Sequence, residues 1–323
     1  MMIRYRLLYG LALLIGTLHL SAEPLKVVSY NVENLFHPAH DTVAGIGKDD
    51  LEWTPEGERR WSFNRYERKV ENIARVLTHI GEWQGVDIAG LQEIENAACV
   101  SKLCNTLRRG EYGFVHYESP DRRGIDVALI YKKSRIDTLA TRAIRVSGLE
   151  VSGLEELITR DILYVCARID KRDTIHFFVC HMPSQRSGKA ESEWKREAAQ
   201  KVLQRAVDSV YTDNPEAKIV VMGDMNDDGL AISGLVDKID HRESKIDNRT
   251  TGTHKYQGRW TFLDHFYVSP ALDSLSNAYV YEAEWILETD EKQMGLRPKR
   301  TYNGFHYQNG FSDHLPIVLM INN

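Results

Sequence analysis

The stretch that decides the fold is Gly310-Phe311-Ser312-Asp313-His314-Leu315-Pro316, a polar cluster beside an apolar run. Four upstream clusters are similarly polar, and each follows a run of β-branched and aliphatic residues. They are Ser29-Tyr30-Asn31-Val32-Glu33-Asn34, Leu91-Gln92-Glu93-Ile94-Glu95, His181-Met182-Pro183-Ser184 and Gly223-Asp224-Met225-Asn226. Short apolar runs predict buried strands, and polar groups where strands end are typical of α/β functional sites. Five such junctions with carboxylate, carboxamide or imidazole groups predict one convergent site.

Strand-like and helix-like segments alternate from Leu25 onward. Two amphipathic helices are predicted, one with an apolar face of Tyr66, Val70, Ile73, Ala74, Leu77 and Ile80, the other with Trp194, Ala198, Val202, Ala206 and Val210. Strands are predicted at 26–30, 87–91, 127–131, 162–169, 174–180, 218–222, 262–268 and 317–321. Adjacent strands joined by tight turns indicate antiparallel pairing, so mixed β-sheets with helices outside fit better than a parallel fold. We expect an α/β (α+β) fold with a single domain over 23–323.

Residues 1–22 are predicted to form a secretory signal peptide. Arg4 and Arg6 provide its charged start, residues 7–20 are apolar, and Ser21-Ala22 offers a cleavage site. A membrane anchor is the alternative, but the apolar stretch is short for a bilayer span. We therefore expect export (periplasmic or secreted) after cleavage near Ala22, with no stable membrane insertion.

The formal net charge is −5, and no run of basic residues marks a nucleic-acid-binding tail. This argues against tight, salt-sensitive binding to a duplex, but not against hydrolysis of nucleic acid. The four cysteines are interpreted as small buried apolar residues, and no Cys/His spacing indicates a structural zinc site. Residues 37–62 and 286–309 are predicted to be long loops, either contacting a phosphate-bearing substrate or merely solvated.

The five junctions offer ligands for a hard metal ion. Glu93 and Asp313 are carboxylates, and Asn31 and Asn226 are carboxamides. These oxygen ligands suit Mg²⁺, with Mn²⁺ as a second possibility, and no thiolate accompanies them. Asp224 is a further carboxylate, suited to orienting or deprotonating an attacking water.

Two histidines add hydrogen-bond donors to this set. His181 and His314 can donate to a phosphoryl oxygen whose charge grows in the transition state. Asp264 can fix the tautomer of one of them. Glu33 and Glu95 are interpreted as solvated neighbours of the ligands.

The ordered set resembles the endonuclease/exonuclease/phosphatase superfamily, which includes pancreatic deoxyribonuclease, apurinic/apyrimidinic endonucleases, neutral sphingomyelinases and inositol polyphosphate 5-phosphatases. The resemblance rests on Asn31, Glu93, His181, Asp224-x-Asn226, Asp264 and Ser312-Asp313-His314, and extends from Val28 to Val318. It implies a four-layer sandwich, two mixed β-sheets packed face to face with helices outside. It also implies metal-dependent hydrolysis of a phosphoester by in-line attack of water.

Roles follow from the same resemblance. Glu93 is expected to bind the metal with Asn31 and Asp313 nearby, and His181 to stabilise charge on the phosphorane-like transition state. The resemblance also implies that Asp224 and Asn226 position water and phosphate, and that His314 is oriented by Asp264. Either Asp224 or His314 would be the general base.

Substrate specificity stays open at the level of sequence. Arg123 and Arg186 lie in loops where arginine can grip phosphate oxygens through paired hydrogen bonds. Residues 121–127 and 183–188 resemble bacterial exported members of the family. A monomeric phosphodiesterase or nuclease acting on DNA or RNA is the leading hypothesis. A lipid or inositol-phosphate hydrolase and a non-catalytic binding module are the alternatives.

Overall fold

The computed structural model describes residues 23–40, 50–147, 157–185, 188–239 and 250–322. The predicted signal peptide, including Ala22, and the predicted phosphate ligand Arg186 lie outside the described residues. Among the helices that are described, none is both long and apolar enough to cross a membrane.

The first six-stranded sheet carries the N-terminal and C-terminal strands at its centre. With strands numbered in chain order, its spatial order is β13 (Ser276–Val280), β18 (Ile317–Ile321), β1 (Leu25–Leu35), β2 (Ile88–Ile94), β4 (Asp126–Lys132) and β3 (Tyr112–His116). β1 and β2 are parallel, and the other neighbours are antiparallel.

The second six-stranded sheet is also mixed. Its spatial order is β5 (Ile136–Ile144), β6 (Ile162–Ile169), β7 (Asp173–His181), β8 (Lys218–Asp224), β12 (Asp264–Val268) and β9 (Val236–Asp237). Only the neighbours β7 and β8 run parallel within it. The two sheets confirm the mixed-sheet prediction.

The sheets pack face to face, and helices cover their outer faces. Apolar residues of both sheets form one buried cluster, and the approach is close enough that a Cβ on Gly90 of β2 would lie 2.9 Å from Sδ of Met222 on β8. Helices α1 (Phe63–Gly81) and α2 (Ala97–Arg108) lie against the first sheet, and α3 (Lys189–Asp213) against the second. The short α4 (Pro270–Asp273) follows β12. The layers are therefore helix, sheet, sheet and helix.

The helix α1 shows how local sequence sets this packing. Its six predicted apolar residues are all buried, and Ser62 caps its N-terminus by accepting a hydrogen bond from the backbone N–H of Arg65. The apolar face thus turns toward the first sheet, as its spacing predicts.

The prediction of two long loops was wrong in part. Residues 286–309 contain the paired strands β14 (Leu287–Thr289) with β15 (Leu296–Pro298), and β16 (Tyr302–Asn303) with β17 (His306–Tyr307). A further pair, β10 (His254–Tyr256) with β11 (Arg259–Thr261), precedes β12. In the described part of 37–62, Trp53 and Trp61 are buried against each other, because indole burial outweighs the polar composition around them.

The four cysteines are free and buried, as predicted. β6 and β7 do form the expected antiparallel pair, and Cys166 lies opposite His176 rather than Cys180. The two sulfurs are therefore out of register for a bridge.

Candidate active site

Strand pairing places three predicted site residues side by side. His181 ends β7 and lies opposite Asp224, which ends the parallel strand β8. Asp264 begins the antiparallel strand β12 and also lies opposite Asp224. Gly223 must be glycine here, because its φ is 146° and a Cβ would lie 1.9 Å from the carbonyl oxygen of Cys180.

The first sheet contributes Asn31 and Glu93 from the ends of its parallel strands. Register shifts interrupt the pairing of β1 with β2 and of β2 with β4 at this edge. Glu33, Asn34 and Glu93 have left-handed φ angles of 54°, 56° and 65°. Non-glycine residues rarely adopt this conformation, and it costs free energy that the surrounding structure must supply. Of these three side chains, that of Glu93 reaches the site, with Oε1 3.9 Å from Nε2 of His181.

Asp224 is the centre of the site. Its Oδ2 accepts a hydrogen bond from Asn31 Nδ2 at 3.0 Å, and its Oδ1 accepts from the backbone N–H of Asn226 at 2.9 Å. His181 Nε2 and His314 Nε2 lie 3.6 and 3.7 Å from the same Oδ2. Burial raises the pKa of Asp224 to about 7, against the lowering effect of the His314 charge. A carboxyl group whose pKa lies near 7 is suited to accept and release a proton at physiological pH.

The imidazole of His314 is oriented by Asp264. Nδ1 of His314 lies 2.8 Å from Oδ2 of the fully buried Asp264. Burial opposes the charged imidazole, but the carboxylates of Asp264 and Asp224 outweigh it and raise the pKa of His314 well above its usual value. Nε2, the nitrogen that faces Asp224, therefore carries a proton at neutral pH.

His254 is a neighbour that sequence reasoning missed. Its ring lies 4.7 Å from that of His314, and a backbone bridge joins the two residues. Burial and the nearby charge of His314 lower the pKa of His254 to about 4, so it is neutral beside a charged imidazole. No apolar run precedes His254, and the strand-end pattern therefore could not find it.

Glu93 faces the site with one carboxylate oxygen. Its Oε2 accepts a hydrogen bond from the backbone N–H of Asn34 at 2.9 Å. Its Oε1 lies 3.5 Å from Nη2 of Arg123 and 3.9 Å from Nε2 of His181. Arg123 in turn donates to Oδ1 of Asn34 at 2.8 Å. The structure thus brings the predicted arginine to the predicted metal ligand, where it offsets the carboxylate charge.

Asp313 is paired with Arg300, a second arginine that the sequence did not single out. Nη2 of Arg300 donates to Oδ2 of Asp313. Burial would raise the pKa of Asp313, but Arg300, with smaller contributions from the nearby histidines, holds it well below the usual range. The carboxylate is therefore ionised at neutral pH.

The interpretation of Glu33 and Glu95 as solvated was wrong. Both side chains are buried. Glu33 Oε2 accepts from the backbone N–H of Thr301 at 2.6 Å and lies 3.8 Å from Nζ of the buried Lys69. Glu95 Oε2 accepts from the backbone N–H of His37 at 2.6 Å. These carboxylates tie strand ends to distant loops, because backbone donors and a buried lysine replace the water they lose.

The donor set fits a hard divalent cation. Oε1 of Glu93 is directed into the site, and Oδ1 of Asn31 accepts one hydrogen bond, from the backbone N–H of Glu33 at 3.0 Å, leaving a second lone pair. At this site, two groups of described donors converge within 4.8 Å: His254 with Asp313 and His314, and Asp224 with Asp264 and His314. Glu93 belongs to neither group, so the predicted set of Asn31, Glu93 and Asp313 lines the site without forming one tight cluster.

Comparison with known proteins gives the family. A sequence profile of the Endonuclease/Exonuclease/phosphatase family matches residues 26–323. No curated protein sequence matches the chain. A family protein from Bacteroides thetaiotaomicron is 18% identical with a TM-score of 0.59, over 93% of this chain and 99% of that one.

Two further solved structures share the fold. TDP2 from C. elegans is 18% identical with a TM-score of 0.58, over 93% of this chain and 75% of that one. The mannosyl-6-phosphatase of Bacteroides thetaiotaomicron is 17% identical with a TM-score of 0.58, over 92% and 99%. Identities this low support the fold alone, whereas the profile spans nearly all of the described residues. The chain belongs to the endonuclease/exonuclease/phosphatase family.

Proposed function

We propose that the protein is a metal-dependent phosphoester hydrolase, and more specifically a secreted Mg²⁺-dependent phosphodiesterase of the nuclease type. The observation that carries the proposal is the convergence on Asp224. His181 Nε2 and His314 Nε2 lie 3.6 and 3.7 Å from its Oδ2, too far for a hydrogen bond. The two imidazoles therefore border the same small volume as the carboxylate, which is the arrangement needed around a phosphoryl group and its attacking water.

Asp224 is suited to hold and deprotonate that water. Its pKa of about 7 leaves a large fraction ionised at neutral pH. Asn31 and the backbone of Asn226 fix its two oxygens. The Nδ2 group of Asn226 is itself held by the carbonyl of Met182 at 3.0 Å. Proton acceptance by Asp224 is therefore favoured over acceptance by His314, which already carries its proton.

His181 and His314 are suited to stabilise the transition state. A protonated His314 donates Nε2–H to a phosphoryl oxygen, and Asp264 keeps that ring oriented through Nδ1. His181, at the end of β7, is suited to donate a hydrogen bond to another oxygen of the same phosphoryl group. Donors that are already in place need no reorganisation when charge develops, and removing one such donor typically costs about 10²–10³-fold in kcat.

A divalent cation would be held by Glu93, with Asn31 and Asp313, and would supply Lewis-acid stabilisation of the phosphoryl oxygens. Mg²⁺ is the proposed ion, with Mn²⁺ as a substitute. Arg123 would then contact a phosphate group beside the site, since it lies 3.5 Å from Glu93 and is partly exposed. Arg186 is proposed for the same role on sequence grounds.

Substrate choice is tested by a panel assayed with and without EDTA: plasmid DNA, RNA, sphingomyelin, inositol phosphates and mannose 6-phosphate. The last is included because one structural neighbour is a mannosyl-6-phosphatase. We expect EDTA-sensitive cleavage of nucleic acid by the wild type. Asp224→Asn should abolish it, whereas Asp228→Asn, at an exposed carboxylate four residues along, should retain it. Activity confined to lipid or sugar phosphates would refute the nuclease assignment, and no activity in any arm would favour a binding module.

Export and assembly are separate proposals. Cleavage near Ala22 would leave a single domain over 23–323 that is exported, monomeric and free of stable membrane insertion. N-terminal sequencing of the protein from periplasmic and medium fractions, with light scattering for the mass in solution, tests both. An intact N-terminus in the membrane fraction would support an anchor instead.

A further inference from the structure

A buried arginine, Arg160, joins two loops that border the candidate active site. Its side chain is 7% exposed, and it lies shortly before β6 in the chain. Nη1 of Arg160 donates to Oδ2 of the equally buried Asp121 at 3.0 Å, and Nη2 donates to the carbonyl of Met182 at 2.8 Å. Asp121 follows β3 of the first sheet, whereas Met182 follows β7 of the second. One guanidinium group therefore connects loops from both sheets at the edge of the site.

Asp121 shapes the turn that carries Arg123. Its Oδ1 accepts from the backbone N–H of Arg123 at 3.1 Å, and its carbonyl accepts from the backbone N–H of Gly124 at 3.0 Å. Gly124 has a φ of 69°, a left-handed conformation that favours glycine. The side chain of Arg123 extends from this turn to the site, where Nη2 lies 3.5 Å from Oε1 of Glu93. Arg160 thus holds the turn from which Arg123 reaches the site.

The carbonyl oxygen of Met182, the second acceptor, is also tied to the residues around Asp224. It accepts a hydrogen bond from Nδ2 of Asn226 at 3.0 Å in addition to the one from Arg160, so both of its lone pairs are used. The backbone N–H of Met182 donates to the carbonyl of Asp224 at 2.9 Å, and His181 is the preceding residue. One carbonyl group therefore links Arg160 to the strand ends that carry His181 and Asp224.

Arginine suits this place because two acceptors on different segments must be bound at once. A guanidinium group presents its N–H donors in a rigid planar fork, whereas the ammonium group of lysine is a single point of charge on a flexible stem. The antiparallel register of β6 with β7 pairs Leu163 with Val179, and the same register, continued past the strand ends, brings Arg160 beside Met182. Sequence analysis did not single out Arg160, because its partners lie 39 and 22 residues away.

We propose that Arg160 is a positioning residue that sets the place of Arg123 relative to His181 and Asp224. The inference rests on the proposed function, in which Arg123 binds a phosphate beside the one that is attacked. A substrate held at two phosphates engages both groups only if their spacing is right, and a misplacement of about 1 Å can cost about 10²-fold in rate. A substrate with a single phosphate does not reach Arg123 and is insensitive to this spacing.

The test is a double-variant cycle on the KM for an oligonucleotide, with bis(p-nitrophenyl) phosphate as the single-phosphate substrate. Arg160→Met should raise the KM for the oligonucleotide by about 5–50-fold, within the range for residues of one hydrogen-bond network. In the Arg123→Met background it should raise that KM no further, because the same contact is already lost. The KM for bis(p-nitrophenyl) phosphate should stay within about twofold of the wild type. A merely structural role would lower the amount of folded enzyme, and so the apparent kcat, without this coupling in KM.

Arg135→Met is the matched control. Arg135 is also largely buried, with a side chain 15% exposed, and it donates to Asp87 at 2.9 Å and to Asp170 at 2.6 Å. Asp87 precedes β2, whose far end carries Glu93, so this arginine lies away from the site. Its replacement should lower the melting temperature but leave both KM values as in the wild type.

Asp121→Asn replaces Arg160→Met in the cycle if the latter does not fold. The carboxamide keeps an acceptor for the backbone N–H of Arg123, but it presents a donor instead of Oδ2 to the guanidinium of Arg160. The connection is then broken on the side of Arg123 alone. We expect the same rise in the KM for the oligonucleotide and the same lack of a further rise in the Arg123→Met background.

Hydrogen exchange tests the positioning without hydrolysis. In Arg160→Met the backbone amides of Arg123 and Gly124, which both donate to Asp121, should exchange faster, and in Arg135→Met they should not. The proposal is overturned if these amides exchange as in the wild type. It is equally overturned if the KM for the oligonucleotide is unchanged, or if the KM effects of Arg160→Met and Arg123→Met multiply in the double variant. A wild type that cleaves no phosphodiester would refute the proposed function instead, and the exchange rates alone would then decide whether Arg160 holds the turn.

Discussion

Replacing Lys69 by Met probes the buried contact that joins α1 to the segment carrying Asp313. Lys69 is 1% exposed, and its Nζ donates to Oγ1 of Thr301 at 2.5 Å and to the carbonyl of Phe311 at 2.6 Å. Glu33 Oε2 lies 3.8 Å from the same nitrogen. Methionine keeps the shape of the side chain but leaves a carboxylate, a hydroxyl and a carbonyl without their buried donor.

The expected loss of stability follows from these broken contacts. Removing one partner of a buried ion pair costs about 3–5 kcal/mol, because the remaining charge is left uncompensated. For a protein of this size each kcal/mol lowers the melting temperature by about 2–4 °C, so we expect a loss of roughly 6–20 °C.

The loss should also depend on pH. Burial, reinforced by the charge of Asp313, raises the pKa of Glu33 to about 6 while Lys69 opposes the rise, so the pKa of Glu33 should be higher still in the variant. When a carboxyl group has a higher pKa in the folded protein than in the unfolded chain, its protonation stabilises the folded state. That contribution to the free energy of unfolding is lost as the pH rises through the folded pKa. The destabilisation should therefore be larger at about pH 8 than at about pH 5.

Urea denaturation in EDTA measures these free energies. The matched control is Lys102→Met, because Lys102 pairs with Glu67 at 2.9 Å on the surface and both side chains are about half exposed. Such a pair contributes about 0–1 kcal/mol, so the control should unfold close to the wild type. The reasoning is refuted if Lys69→Met unfolds within about 1 kcal/mol of the wild type, or if the control loses as much stability.

Two further substitutions separate metal binding, substrate binding and turnover. Arg123→Met should lower the Mg²⁺ concentration needed for half-maximal activity, because the arginine competes for the charge of Glu93 at 3.5 Å, and it should raise KM for a phosphodiester; a change in neither quantity would make Arg123 a bystander. Asp264→Asn removes the acceptor of His314 Nδ1 and should lower kcat by about 10²–10⁴-fold, as loss of the orienting carboxylate does in other histidine-dependent hydrolases. Unchanged kcat at saturating Mg²⁺ would show that Asp264 serves only the fold.

Secondary structure was predicted best from the sequence where a continuous run of residues is buried. The strands at 162–169 and 317–321 have the predicted bounds, because runs of apolar residues covered on both faces leave a continuous pattern. The edge strands β3 and β5 were missed, since most of their residues are exposed or only half-buried and polar residues dilute the apolar pattern. The helix α2 was also missed, because only four of its residues are buried.

In the candidate site too, residues marked by a local sequence pattern could be predicted and residues held by long-range contacts could not. Asn31, His181 and Asp224 were singled out because each follows an apolar run that predicts a strand, and Asp264 because it lies within such a run. Lys69 was not found, because a lysine on a helix is ordinarily solvated and its partners Thr301 and Phe311 lie more than 230 residues away. Such long-range pairing leaves no trace in local spacing, so only the folded structure can show it.

The Mg²⁺ dependence of bis(p-nitrophenyl) phosphate hydrolysis, compared between the wild type and Glu93→Gln, tests the central claim most directly. The amide keeps the shape of Glu93 but removes the charge that would hold a hard cation. We predict that EDTA abolishes wild-type hydrolysis, that Mg²⁺ restores it, and that Glu93→Gln needs a far higher Mg²⁺ concentration for half-maximal activity. Hydrolysis that survives EDTA, or an equal Mg²⁺ requirement in the two proteins, would contradict a metal-dependent hydrolase with its cation at Glu93.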